Sequence, residues 1–280
     1  MTPSEEIVLV RRNDREFFVD LSPGSFLTPS LEDEYKHFWT ARFGNDWELD
    51  TFRCLDEFLR ADAIYLDIGA WVGPTVLYAA DRCREVVCLE PDPVAHEALR
   101  RNIAANPEIN NVSVINAALG SDDGPVLIGG NGDLGNSEST ILVEDQTYVG
   151  KQSVLSRKSN PGKNRDWRAG PTTTAQMISP RTLFARYRND ELALVKMDIE
   201  GGEKIALPPL VEFLRHYRSV LLLSIHWVYL DETEVSGVIN HVYDAYSHVL
   251  DARDRLPVDR SSIFDRHIDQ RLCLPENIKR

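Results

Sequence analysis

The nine residues Tyr65-Leu-Asp-Ile-Gly-Ala-Trp-Val-Gly73 constrain this chain more than any other stretch. An apolar run closes on two glycines, and helix-compatible residues resume at once. Residues 63–68 read as a buried strand, Gly69 and Gly73 let the backbone pass close to a ligand, and residues 75–80 read as a helix. Strand, glycine turn and helix form half of a βαβ unit. The spacing, Asp67-x-Gly-x-x-x-Gly73, lacks the central glycine of the dinucleotide fingerprint.

The rest of the chain repeats the alternation. Residues 7–12 and 16–21 predict a hairpin turning at Asn13-Asp14, followed by helical spacing around Leu31, Tyr35 and Phe38 and again around Phe52, Leu55 and Leu59. Residues 85–90 form a second strand ending on Glu90-Pro91. Asp92 then serves as N-cap and Pro93 as first residue of a helix carrying Ala95, Leu99 and Ile103. A third strand over 112–116 ends at Asn116-Ala117-Ala118. Residues 121–174 loosen into an insertion with β-prone pieces at 126–128 and 140–143 and a basic concentration, Lys151, Arg157, Lys158, Lys163, Arg165 and Arg168.

Beyond it come a helix over 179–187 and a strand over 192–197, closed by a second, carboxylate-rich turn, Asp198-Ile-Glu200-Gly-Gly-Glu203. The next helix is interrupted at Pro208-Pro209, and a strand over 220–225 runs into His226-Trp227. Asp231 and Glu234 have capping-box spacing before a helix whose apolar face comprises Val235, Val238, Ile239, Val242, Tyr246 and Val249; a final hairpin reaches Leu274. Alternating strands and helices predict an α/β fold, a mainly parallel sheet with helices on both faces. We divide it into an N-terminal hairpin and helical cap, 1–62, and a cofactor-binding domain, 63–280, together one compact unit.

A formal net charge of -13 over 280 residues excludes a sequence-independent nucleic-acid binder, which needs many cations to displace counterions from phosphates. The four cysteines are scattered without a Cys-x-x-Cys spacing, so neither a zinc cluster nor a disulfide framework is expected. A polar amino terminus and no membrane-length apolar run make the cytoplasm the expected location.

In a sheet of this kind ligands bind outside the carboxyl ends of the strands. Asp67 to Gly73, Glu90, Asn116 to Ala118, Asp198 to Glu203 and His226 all fall there. Glu90 suits the two hydroxyls of a ribose. Trp71 stands where a central glycine would seat a pyrophosphate, so the turn suits S-adenosylmethionine better than NAD. A nucleotide-dependent oxidoreductase and a catalytically silent binding module stay open as alternatives.

Asp67-Ile-Gly-Ala-Trp-Val-Gly73, Glu90-Pro91, Asn136-Ser-Glu-Ser139 and Lys196-Met-Asp-Ile-Glu-Gly-Gly-Glu203 together resemble the FkbM-type methyltransferases. The resemblance runs from about Glu48 to His226. It implies a Rossmann-like class I methyltransferase sheet and S-adenosylmethionine-dependent O-methylation of sugars or natural-product intermediates. It places Asp67, Gly69 and Gly73 toward the methionine end of the cofactor, Glu90 at its ribose, and Asn116, Ala117 and Ala118 at its adenine, with Ala70, Trp71, Pro91 and Asp198 also among the cofactor contacts. The fifth strand of this family often ends Glu-x-His; here Ser224 replaces that Glu and His226 remains.

A sulfonium carries an activated methyl, so the protein must align an acceptor and take its proton. His226, as a neutral imidazole, and Asp198 are the candidates, with Glu200 beside them. Oxygen ligands at Asp198, Glu200 and Glu203 suit a hard cation, but no metal is expected from them. The acceptor is expected to be a small molecule, its reacting atom a hydroxyl or, alternatively, a carboxylate or amine. No nucleic acid or membrane partner is expected, and a homo-oligomer is compatible with the sequence. Trp39, Trp47, Trp167 and Trp227 offer stacking surfaces.

Overall fold

Apolar, β-branched runs of five or six residues separated by capped helical repeats can bury both faces only as a central sheet between two helical layers. The computed structural model shows that arrangement and describes residues 6–22, 24, 27–129, 133–142, 170–187, 191–227, 229–262, 270–276 and 278. β1 (Ile7–Arg12) and β2 (Arg15–Asp20) pair antiparallel, with Asn13 at φ 55° in the turn. α1 (Pro29–His37) runs into a π-helical turn, Phe38–Arg42, and α2 (Leu49–Phe58) follows. Next come β3 (Ile64–Ile68), α3 (Pro74–Ala79), β4 (Glu85–Leu89), α4 (Pro93–Ala104) and β5 (Val112–Ile115). The region 118–178 supplies β6 (Ala118–Leu119), β7 (Gly124–Gly129), β8 (Thr140–Leu142) and β9 (Thr172–Ile178). The chain continues through α5 (Pro180–Phe184), β10 (Leu192–Met197), α6 (Glu203–Tyr217), β11 (Val220–Ser224), α7 (Glu232–Ala245), β12 (His248–Asp251) and β13 (Gln270–Leu274).

The main sheet has the order β12-β13-β11-β10-β3-β4-β5, parallel throughout β11 to β5, with β13 antiparallel to both its neighbours. The period-two pleat sorts each strand between two cores. Tyr65 joins Phe52, Leu55, Leu77 and Leu99 on the face covered by α2, α3 and α4. Ile64, Leu66 and Ile68 join Leu183, Leu210 and Val238 on the face covered by α5, α6 and α7. Val10, Phe17 and Val19 of the hairpin belong to the first core, as do Tyr35 and Phe38, so the leading segment is packed onto the sheet.

Four local expectations are corrected. The β-prone pieces expected in the insertion correspond to β7 and β8, but they join β6 and the unexpected β9 in a second sheet of order β6-β9-β7-β8. β9 escaped detection because its Thr-rich sequence leaves one face exposed and carries little apolar alternation. α5 stops at Phe184, short of the expected 179–187. α6 runs unbroken through Pro208 and Pro209. Each proline lacks an N–H for the carbonyl four residues back, and burial of Ala206, Leu207, Leu210, Val211 and Leu214 offsets that loss. α7 ends at Ala245, where Tyr246 turns extended and donates its hydroxyl to the Ser219 carbonyl at 3.0 Å; Val249 therefore lies in β12. The capping box at Asp231 and Glu234 is formed as expected. The basic concentration at 151–168 and Trp167 lie outside the described residues. Among the described residues no helix is long and apolar enough to cross a membrane.

Candidate functional site

The carboxyl ends of β3, β4, β10 and β11 open into a cavity of about 660 Å³, roofed by Phe38, Trp47 and Glu48 from the cap. That size suits a ligand with a small co-substrate. Of the residues singled out in the sequence, Gly69, Ala70, Trp71, Glu90, Pro91, Ala117, Ala118, Asp198, Glu200 and His226 line it. Three others stand behind the wall. Asp67 is wholly buried, receiving the Thr75 hydroxyl and the Lys196 ammonium. Gly73 starts α3 in a left-handed conformation against Leu99. Asn116 donates from Nδ2 to the Glu90 carbonyl at 2.7 Å, tying the ends of β4 and β5.

The two glycine turns are in backbone contact. Gly69 has φ +87°, and a Cβ there would stand 1.9 Å from the Asp198 carbonyl oxygen, so no other residue lets the strand ends come this close. Trp71 also takes a left-handed φ, 49°. Its N–H donates to Glu90 Oε2 at 2.8 Å and its indole N–H to the Gly135 carbonyl at 2.9 Å, while its ring meets Phe38 edge-on with centroids 4.7 Å apart. Glu90 Oε1 accepts the Asp92 N–H at 2.8 Å. Burial, with Asp92 adding to it, pushes the Glu90 carboxyl up to about 8 despite those two bonds. Asp92 caps α4 and also receives the Gly135 N–H at 2.7 Å and the Ser139 hydroxyl at 2.6 Å, which anchors the 135–139 segment against the site.

Charge concentrates on the opposite rim. Lys196 Nζ sits 3.4 Å from Asp67 Oδ1, 3.5 Å from Asp198 Oδ2 and 3.3 Å from the Gly69 carbonyl. Burial alone would depress this ammonium, but Asp67, Asp198 and Glu48 outweigh it and hold it above its ordinary value. His226 Nδ1 lies 2.8 Å from Glu203 Oε1, and Nε2 lies 3.2 Å from Asp198 Oδ1 and 3.3 Å from Glu200 Oε1. Burial opposes charging of the ring, yet Glu200 and Glu203 hold its pKa well above the usual histidine range. The neutral imidazole expected from the sequence is disfavoured by these neighbouring carboxyl groups. Burial works against the Asp198 anion too, but Lys196 and His226 keep it ionised. Glu200, at φ 51°, is pushed up to about 8, chiefly by burial.

The ligand atoms of Asp198, Glu200 and His226 lie within 4.8 Å of one another, a spacing at which a divalent cation could replace the imidazolium proton. Among the stacking candidates Trp47 and Trp227 line the cavity, whereas Trp39 is buried in the core. Sequence reasoning did not single out Glu48 or Gln270 as site residues, although both face the cavity. Neither belongs to a motif, and Gln270 arrives on the last strand. Their roles depend on tertiary placement alone.

The family model described as "Methyltransferase FkbM domain" matches residues 67–252. No curated protein matches the chain. Among solved structures, a methyltransferase FkbM from Methylobacillus flagellatus is 15% identical with a TM-score of 0.47, over 77% of this chain and 44% of that one. This chain therefore spans less than half the length of that protein. An rRNA methylase from Streptococcus thermophilus is 8% identical with a TM-score of 0.42, over 82% and 95% of the two chains. A precorrin-6y C5,15-methyltransferase from Geobacter metallireducens is 11% identical with a TM-score of 0.41, over 83% and 88%.

Proposed function

The chain belongs to the methyltransferase FkbM domain family, and from that premise we propose that it moves a methyl group from S-adenosylmethionine to a hydroxyl of a small molecule. One observation carries this reading: the Gly69 turn and the Lys196–Asp198–His226 cluster share one cavity with Glu90. The donor set fits the cofactor. Among the described residues the one lysine of the wall is already matched by Asp67 and Asp198, and carboxylates outnumber it and the lining Arg42 and Arg253, which favours a sulfonium over a pyrophosphate.

Glu90 and Pro91 would hold the ribose, Ala117 and Ala118 the adenine, and Gly69, Ala70, Trp71 and Asp198 the methionine end. Bound there, the cofactor supplies an electrophilic methyl. Phe38, Trp47 and Trp227 close the cavity from the other side, where an acceptor would be oriented and water excluded. His226, fixed by Glu203, presents its Nε2 proton between Asp198 and Glu200 and would orient the acceptor through that cluster, Asp198 remaining ionised.

Titration with S-adenosylhomocysteine and with NAD separates methyl transfer from an oxidoreductase. Stabilisation by the first and not the second is expected, and the reverse would refute the reading. Asp198→Asn and His226→Ala should retain S-adenosylhomocysteine binding and lose transfer from labelled S-adenosylmethionine. Transfer surviving both changes would remove these residues from the reaction.

A further inference from the structure

Glu48 is placed at the roof of the cavity by a backbone that a glutamate adopts at a cost. It precedes α2 with φ 45° and ψ 49°, in the left-handed region. In that conformation its side chain does not cap the helix, since it makes no bond to the first-turn amides. Its carboxylate lines the cavity instead. Oε2 receives the Thr51 hydroxyl at 2.9 Å; Thr51 is fully buried and receives Gln270 Nε2 at 2.9 Å; Gln270 Nε2 also reaches the Ser224 hydroxyl at 3.4 Å. Gln270 thus donates both to Ser224 at the end of β11, where no carboxylate stands, and through Thr51 toward Glu48 on the cap.

We propose that Glu48 is the base that takes the proton of the methyl acceptor, a role that rests on the methyltransferase reading of this cavity. The carboxylates around Lys196 and His226 are committed: Asp198 to Lys196 and His226, Glu200 and Glu203 to His226. Glu48 has one neutral hydroxyl partner and an open cavity in front of it. The charged groups that act on it are Asp198 from the turn after β10, Lys196 from β10, Asp67 from β3 and Arg12 from β1. Burial and Asp198 push its carboxyl up to about 7, the value at which a base balances availability against strength at neutral pH. In the step, the acceptor O–H bond breaks with its proton passing to Glu48. The oxygen pair forms the new bond to the methyl carbon, and the carbon–sulfur pair stays on sulfur, giving neutral S-adenosylhomocysteine.

The test uses the full chain, labelled S-adenosylmethionine and the small-molecule fraction of a bacterial extract as acceptor pool. Glu48→Gln removes the base, and Glu48→Gly does so while suiting the left-handed backbone, which secures a folded variant. Both should lose transfer by about 100-fold or more and lose the limb of the pH–rate profile near neutrality. S-adenosylhomocysteine affinity, read by calorimetry, should stay within about threefold, because Glu48 is not assigned to the cofactor. Wild-type transfer matched by either folded variant, or an unchanged pH limb, overturns the role of Glu48 alone. Absence of wild-type transfer from every fraction overturns the methyltransferase reading beneath it.

Discussion

Gly69→Ala tests whether the two glycine turns form one structure. The new Cβ would lie 1.9 Å from the Asp198 carbonyl oxygen and 2.9 Å from its carbon, both backbone atoms of the neighbouring strand end. A non-glycine residue at φ +87° costs about 1–2 kcal/mol. Prising apart two strands paired through Met197 and Ile68 adds an over-packing cost of about 1–3 kcal/mol. The sum is about 2–5 kcal/mol. Gly73→Ala is the internal control. Its φ of +90° carries the same conformational cost, but its Cβ meets Leu99 Cδ1 at 2.4 Å, the end of a side chain that can rotate. Urea unfolding should therefore show the Gly69 variant less stable than the Gly73 variant by about 1–3 kcal/mol. Only the Gly69 variant should displace Asp198 from Lys196 and His226 and weaken S-adenosylhomocysteine binding. Equal losses, or intact binding in Gly69→Ala, would refute the coupling of the two turns.

Lys196→Met strips the cation from buried Asp67 and from Asp198, and denaturant unfolding should register a loss of about 3–5 kcal/mol. Glu48 makes stability pH-dependent in a definite direction. Its folded pKa of about 7 exceeds the ordinary 4.5, so its contribution is full below pH 4.5 and is lost as pH rises through about 7. The loss is at most about 3 kcal/mol. Glu48→Gln should flatten stability across that window and be the more stable protein at pH 8; a steeper decline than wild type would contradict the assigned burial. Asp231→Ala removes the capping box of α7 and should cost about 1 kcal/mol without altering S-adenosylhomocysteine affinity, checked by paired unfolding and calorimetry.

The parallel strands of the main sheet were legible because each combines a continuous apolar run with a definite stop. Ile64–Ile68 ends on Gly69, Glu85–Leu89 on Glu90-Pro91, and Leu192–Met197 on the Asp198 turn. The same stops mark the carboxyl ends of the strands, so ten of the residues read as cofactor or catalytic contacts line one cavity. Asp67 lies behind the cavity wall because a strand's pleat decides whether its penultimate residue faces the crevice or the layer behind, and Lys196 draws it inward. The surroundings of His226 were illegible because Glu200 and Glu203, from the turn after β10 and the start of α6, reach it through space at the end of β11. Glu48 and Gln270 had no local signal, since what makes them matter is that α2 and β13 converge on Thr51.

The position of β13 has a consequence for how the molecule comes into being. The last strand in chain order is an interior member of the sheet, paired on one side with β11 and on the other with β12. During synthesis β12 has no neighbour to pair with until β13 emerges, and the open flank of β11 must wait with it. Gln270, the first residue of β13, is also the residue that steadies Thr51 beneath Glu48. The wall of the cavity at Gln270 is therefore absent until β13 is in place, even in a nascent chain that has already folded its glycine turns.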